Sequence, residues 1–190
     1  MKPHVATEKY LEELHRKDPA LNYTIIREGL YSESYPLYTS FFDPSNPVDE
    51  IKVAHDGSGS GISWVKREEL GEGTAELLKR FVNDPANFPY KNRTILLSGS
   101  RALTLQESVD ILGKIAEHPA RIVQVSDVEF ADQPVVSTSF VYRGVNYAKA
   151  WASSFEAFRR GEAATVSPLL EELLGREPED FETTIRASLS

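Results

Sequence analysis

A chain of 190 residues with 41% hydrophobic and 26% charged residues has room for one domain with a sizeable core, and its balance argues against disorder and membrane spans. A net charge of −8 with a pI near 5.1 leaves no basic footprint for a nucleic acid or an anionic membrane. Without cysteine there are no disulfides or thiolate metal sites, and the opening Met-Lys-Pro-His has no apolar core for a signal peptide, so the expectation is a soluble intracellular protein, cytoplasmic, or nuclear if regulatory.

Val5, Ala6, Tyr10, Leu11 and Leu14 recur at helical spacing with Glu8, Glu12 and Glu13 turned outward, which predicts a first helix with Pro3 in its opening turn. Asp18-Pro19 ends it. Residues 23–27 follow as a strand, apolar on both faces. Such a strand is normally buried inside a parallel sheet, and the polar residues after it then sit where α/β proteins bind ligands, outside the carboxyl ends of the strands. A site is therefore expected over residues 27–35. An interior strand also needs neighbours on both sides, and one helix is all that precedes it. The pattern predicts the back half of a larger sheet, with an open edge at residues 23–26 (Tyr23 to Ile26).

An aromatic segment over 35–42 predicts a short helix. Residues 51–54 and 62–65 read as two strands joined by a flexible hairpin turn, His55-Asp-Gly-Ser-Gly-Ser-Gly61, because its glycines lack dinucleotide spacing and precede a strand rather than a helix. Further helices are predicted over 68–82, 104–116, 147–158, 169–174 and 179–187, and strands over 94–98 and 121–125. Thr104 with Glu107 and Ser126 with Glu129 form capping-box patterns, and Gly175 gives a helix stop. Residues 130–142 are apolar and β-branched and carry no clear assignment. No repeat or linker divides residues 1–190, which read as a single unit.

Four scattered histidines, His4, His15, His55 and His118, have no metal-ligand spacing, and no Gly-x-Ser-x-Gly elbow supports a serine hydrolase. The adjacent carboxylates Glu12-Glu13, Glu68-Glu69 and Glu171-Glu172 point in different directions around their helices and read as solvated faces. Arg27-Glu28 has two readings. In one it is an ion pair that closes the strand; in the other Tyr31, Ser34, Tyr35 and Tyr38 line a pocket beside it, with hydroxyls ready to hold a carbonyl or phenol.

The runs from His4 to Leu14 and from Tyr23 to Tyr35 closely resemble the NmrA-like family of atypical short-chain dehydrogenases. The likeness continues through Ile62-Ser-Trp-Val-Lys-Arg-Glu-Glu-Leu70, Leu97-Ser-Gly-Ser-Arg-Ala-Leu-Thr104 and the closing 169–178 segment. It implies an α/β fold, the C-terminal portion of a Rossmann-like NmrA fold, comprising a substrate-side lobe and the last strands of the parallel sheet. The family's Gly-rich turn and the helix that receives the pyrophosphate have no counterpart in the sequence. NADP or NAD is thus the cofactor of full-length relatives, and the resemblance implies that this chain alone binds none.

Residue by residue, the resemblance implies that His4 stands where the family carries its catalytic Lys, while the catalytic Tyr would fall before residue 1, so no catalytic residue carries over. Against this stands the plain reading of His4 as an exposed side chain near a frayed end. Arg27, Glu28, Gly29 and Leu30 match the segment passing near the nicotinamide; Tyr31, Ser34, Tyr35 and Tyr38 match its substrate-side wall. The functional expectation is a truncated relative of an NAD(P)-dependent oxidoreductase or redox-sensing regulator, without its own catalysis. The competing expectation is an interaction protein that completes its sheet with a second copy or a separate Rossmann half through the edge at Tyr23 to Ile26. An enzyme active alone through Arg27 and the Tyr cluster is the third. No nucleic acid, membrane or metal partner is expected.

Overall fold

The computed structural model describes residues 2–189. In chain order it runs α1 (Lys2–Lys17), β1 (Thr24–Glu28), β2 (Leu30–Tyr31), a 3-10 turn (Ser32–Tyr38), β3 (Glu50–Val53), β4 (Trp64–Val65), α2 (Arg67–Asn83) and β5 (Arg93–Leu97). There follow α3 (Leu105–Ile115), β6 (Arg121–Gln124), α4 (Asp127–Asp132), α5 (Pro134–Ser139), β7 (Val141–Tyr142) and β8 (Val145–Asn146), then α6 (Ala148–Ala152), α7 (Ser154–Arg159), α8 (Leu169–Leu174) and α9 (Phe181–Ser188).

Three of the four strand pairs are parallel: β1 with β5, β2 with β4 and β3 with β6. Parallel partners need long crossovers, which α2 supplies between β1 and β5 and α3 between β3 and β6. The structure is thus the mixed α/β arrangement that the residue pattern predicts. Capping boxes open α3 and α4 as expected, with Thr104 and Ser126 each accepting from the N–H three residues on. Gly175 ends α8 at φ 68°.

Four expectations need correction. Residues 51–54 and 62–65 do not form a hairpin. Ile51, Val53, Trp64 and Val65 are each at most 4% exposed, and each run takes a separate parallel partner, β3 with β6 and β4 with β2. The loop between them is built rather than slack: Ile62 and Leu103 exchange backbone hydrogen bonds of 2.7 and 2.9 Å, and a Cβ on Gly61 (φ +88°) would lie 2.5 Å from the Leu103 carbonyl oxygen. The unassigned 130–142 segment folds as α4, α5 and the start of an antiparallel hairpin, whose turn residues Arg143 and Gly144 both have positive φ. The single helix predicted over 147–158 is two, α6 and α7. Between them the Ser153 hydroxyl donates to the Ala150 carbonyl at 2.7 Å, competing with the helical ladder.

The fourth correction concerns β1. Its residues Thr24 to Arg27 are half-buried and Glu28 is exposed, short of the burial that its apolar run, expected to belong inside a larger sheet and to lie open at residues 23–26, would have there. One edge explains this. Gly29 N donates to the Leu97 carbonyl at 2.8 Å, which sets the odd-numbered residues of β1 facing β5. The alternation of a parallel ladder then turns the N–H and C=O groups of Thr24, Ile26 and Glu28 to the other edge, where no named strand among the described residues pairs.

Two buried clusters divide the interior. The larger gathers residues of β3, α3, α4, α7 and α9 around Phe130, Phe155 and Trp64; the smaller packs Ile26, Ile95 and Leu97 of the β1/β5 pair against Leu70 and Leu77 of α2 and Leu170 and Leu173 of α8. No described helix is long and apolar enough to cross a membrane.

Candidate functional site at the carboxyl end of β1

β1 runs into β2 through Gly29, which has no room for a side chain. An added Cβ would lie 2.9 Å from the Ser63 carbonyl oxygen and 3.1 Å from a Val65 methyl. This close crossing brings the ends of β1, β4 and β5 together, and the sequence-predicted residues leave from it.

Glu28 and Arg27 do not pair with each other. Arg27 donates instead to Glu8 of α1, at 2.9 Å from Nε and 2.7 Å from a terminal nitrogen, a partly exposed pair that ties α1 over the strand. Glu28 accepts from the Tyr31 hydroxyl at 2.8 Å, and that bond raises the Tyr31 pKa above its ordinary value. Ser34 donates to the Tyr31 carbonyl at 2.7 Å. Glu28, Tyr31 and Ser34 therefore form one contiguous polar rim.

Tyr35 and Tyr38 turn the other way. Tyr35 packs edge-on against Phe181, and Tyr38 lies among Trp64, Trp151 and Phe158 with ring centroids 5.2 to 5.9 Å away. Burial pushes both phenols up to about 12, so they stay neutral. Leu30 packs on the same cluster, and His4 stands exposed on α1. The structure thus joins two of the four expected wall residues, Tyr31 and Ser34, to Glu28 and places the other two, Tyr35 and Tyr38, in the core beneath them.

Sequence reasoning missed several buried polar groups. Glu69 is 2% exposed, not part of a solvated face: it accepts from Arg176, and from the Glu179 backbone N–H at 2.9 Å, pinning the segment before α9 to α2. Glu68, its sequence neighbour, is exposed, as helix geometry requires of adjacent positions. Ser32 is fully buried with no partner for its hydroxyl. His55, 2% exposed, accepts the Gly57 N–H on Nδ1 at 3.0 Å, which leaves its proton on Nε2, a buried nitrogen without a partner. Desolvation lowers the His55 pKa; Asp56 opposes that and Arg159 adds to it. The signal for His55 was its place between an apolar strand and a glycine loop, which spacing rules for metals do not test. No cluster of His, Asp and Glu suited to a metal occurs among the described residues.

A surface groove of about 280 Å³ flanks the open edge of β1. It is lined by Tyr23, Thr24 and Ile26 on one side and Leu77, Phe81 and Phe88 on the other, and no residue of β5 contributes. Leu78, 61% exposed, belongs to its apolar wall.

Comparison with known proteins gives this geometry a frame. A scan against protein-family models finds no match. Over 176 residues, 92% of its length, the chain is 30% identical to an NmrA-like family domain-containing oxidoreductase of Aspergillus flavus. The chain is similar to this NmrA-like relative. It spans about half, 51%, of that relative's length. Among solved structures, the fold matches an NADPH-dependent quinone oxidoreductase of Escherichia coli with a TM-score of 0.70 at 20% identity, over 100% of this chain and 61% of that one. A triphenylmethane reductase of Citrobacter sp., complexed with NADP(H), matches at 0.67 and 22% identity over 92% of this chain and 56% of its own. The negative transcriptional regulator NmrA, complexed with NADP, matches at 0.58 and 16% identity over 92% and 54%. The chain thus has a mixed α/β fold that resembles part of the NAD(P)-binding Rossmann-like reductases.

Proposed function

We propose that this polypeptide is the substrate-side, C-terminal portion of an NmrA-like NAD(P)-dependent oxidoreductase or redox-sensing regulator. It presents the rim of Glu28, Tyr31 and Ser34 to a dinucleotide held by a separate Rossmann portion, and it performs no catalysis by itself. The open edge of β1 carries this reading. Thr24, Ile26 and Glu28 turn a row of backbone donors and acceptors outward beside an apolar groove, the arrangement an incoming strand and its covering helix would complete. The matching of about half of each longer relative, and cofactor-bound forms among the structural relatives, support it.

The sequence offers no Gly-rich strand-turn-helix to hold a pyrophosphate. On this reading the dinucleotide's phosphates rest on the other portion, and this chain contributes the nicotinamide end through 27–30, with His4 near the ribose. Titrating the purified chain with NADPH while following nicotinamide fluorescence tests the proposal. No saturable change is expected for the chain alone. Micromolar saturation would mean that this half holds the dinucleotide without help and would refute the division of labour.

A further inference from the structure

The hairpin β7/β8 and the helices beside it differ in character from the rest of the surface. The chain carries a net charge of −8, yet residues 133–155 contain no acidic side chain and two basic ones, Arg143 and Lys149. Tyr142, Val141 and Tyr147 are 46 to 63% exposed in this same stretch, an unusual concentration of aromatic and apolar surface for a two-stranded hairpin.

These residues border an open groove of about 510 Å³ floored by Phe140 and Trp151 and walled by Tyr142 and Tyr147. The volume lies within the range of small-molecule sites. Its floor is ordered: the Phe140 and Trp151 rings stack at 4.9 Å and 27°, and the Trp151 indole N–H donates to the Leu37 carbonyl at 2.9 Å. A cation stands next to the lining, since the Arg143 guanidinium lies 5.4 Å from the ring centre of Tyr142. The turn that places Arg143 there is fixed by Asn146, which donates to the Ser137 carbonyl at 2.9 Å and accepts from the Ala148 N–H at 2.8 Å.

We infer that this groove is a binding site for a planar aromatic anion, which stacks on the Phe140/Trp151 floor and directs its negative group to Arg143. Charge decides among the possible occupants. A second copy binding through the same patch would set Arg143 and Lys149 against their own kind. A neutral aromatic would leave Arg143 unused, and a cationic one would be repelled by it. The site is separate from the rim at β1 and does not depend on how that rim is used. Trp151 nevertheless touches Tyr38, the ring at the end of the 3-10 turn that follows the rim, with centroids 5.5 Å apart.

The chain has two tryptophans, and their indole N–H signals report separately in a nitrogen-proton correlation spectrum, with Trp64 buried elsewhere against Phe181. Titration with 2-naphthalenesulfonate is expected to shift the Trp151 signal saturably and leave that of Trp64 in place. Arg143→Asn keeps a residue tolerant of the turn's positive φ and removes the charge; it should weaken the sulfonate about threefold to fivefold and leave neutral 2-naphthol unchanged. Trp151→Phe keeps a ring on the floor and assigns the signal. No saturation below about 1 mM, an equal shift of both indoles, or a sulfonate affinity indifferent to Arg143→Asn would each overturn the assignment.

Discussion

Removing the Glu69 carboxylate should cost this fold far more than removing its neighbour Glu68, although the two are adjacent and chemically identical. The Glu69 side chain is 3% exposed and the Glu68 side chain 75%. Glu69→Ala deletes the acceptor of the Glu179 N–H, a part-buried donor whose loss of a partner costs about 1–3 kcal/mol. Arg176, nearly half exposed, returns to water and adds little. With the void left by a side chain only 3% exposed, the total comes to about 2–3 kcal/mol, a fall in Tm of roughly 4–12 °C for a domain of this size. Glu68→Ala should stay within about 0.5 kcal/mol. Thermal unfolding followed by far-ultraviolet circular dichroism measures both. Equal melting temperatures for the two variants would refute the assignment of Glu69 as the peg between α2 and the segment before α9.

Three further outcomes are expected. His55 is buried neutral among Phe155, Phe158, Asp56 and Arg159, so its folded pKa lies below its unfolded value near about 6.5. The unfolded chain then takes up the proton first; the contribution of His55 is complete above that pH and is lost as the pH falls through it. Urea midpoints should drop from pH 7 to pH 5.5 more in the wild type than in His55→Gln, and parallel profiles would contradict the burial argument. Gly61→Ala forces a Cβ onto the Leu103 carbonyl and should destabilise by about 2 kcal/mol or more, whereas Gly59→Ala, with open space around it, bears only the cost of its positive φ, about 1 kcal/mol. Chemical denaturation of both variants separates steric contact from backbone strain. Thr24→Pro removes an N–H that faces away from β5 together with the 2.8 Å bond from the Thr24 hydroxyl to the Tyr90 carbonyl; compared with Thr24→Ala, which loses that bond alone, it should leave the melting temperature within a few degrees while blocking strand addition at that edge, and strong unfolding relative to Thr24→Ala would show that this N–H already has a partner.

Much of the architecture was legible because it rests on local rules. Capping boxes at Thr104 and Ser126, the glycine stop at Gly175 and the helical periodicity of 68–82 each depend on a few consecutive residues, and each appears in place. Strand pairing was not legible in the same way. The runs around Ile51 and Trp64 resemble the arms of a hairpin because a glycine loop lies between them, and only the distant positions of β2 and β6 decide otherwise. The break of 147–158 at Ser153 turns on one side-chain hydrogen bond that helical spacing does not register. At the rim, hydroxyl-bearing aromatics at 31, 35 and 38 look alike in sequence, and which face core or solvent follows from the 3-10 geometry of Ser32–Tyr38. Arg27 found its partner nineteen residues upstream in Glu8, beyond the reach of nearest-neighbour reasoning.

The open edge of β1 is the claim on which the functional reading depends, and amide hydrogen exchange resolved by residue tests it directly. In the isolated chain the N–H groups of Thr24, Ile26 and Glu28 should exchange rapidly while those of Ile25, Arg27 and Gly29, bonded toward β5, are protected. Uniform protection of all six, independent of protein concentration, would show that both edges of this strand are already satisfied within one molecule and would contradict the account.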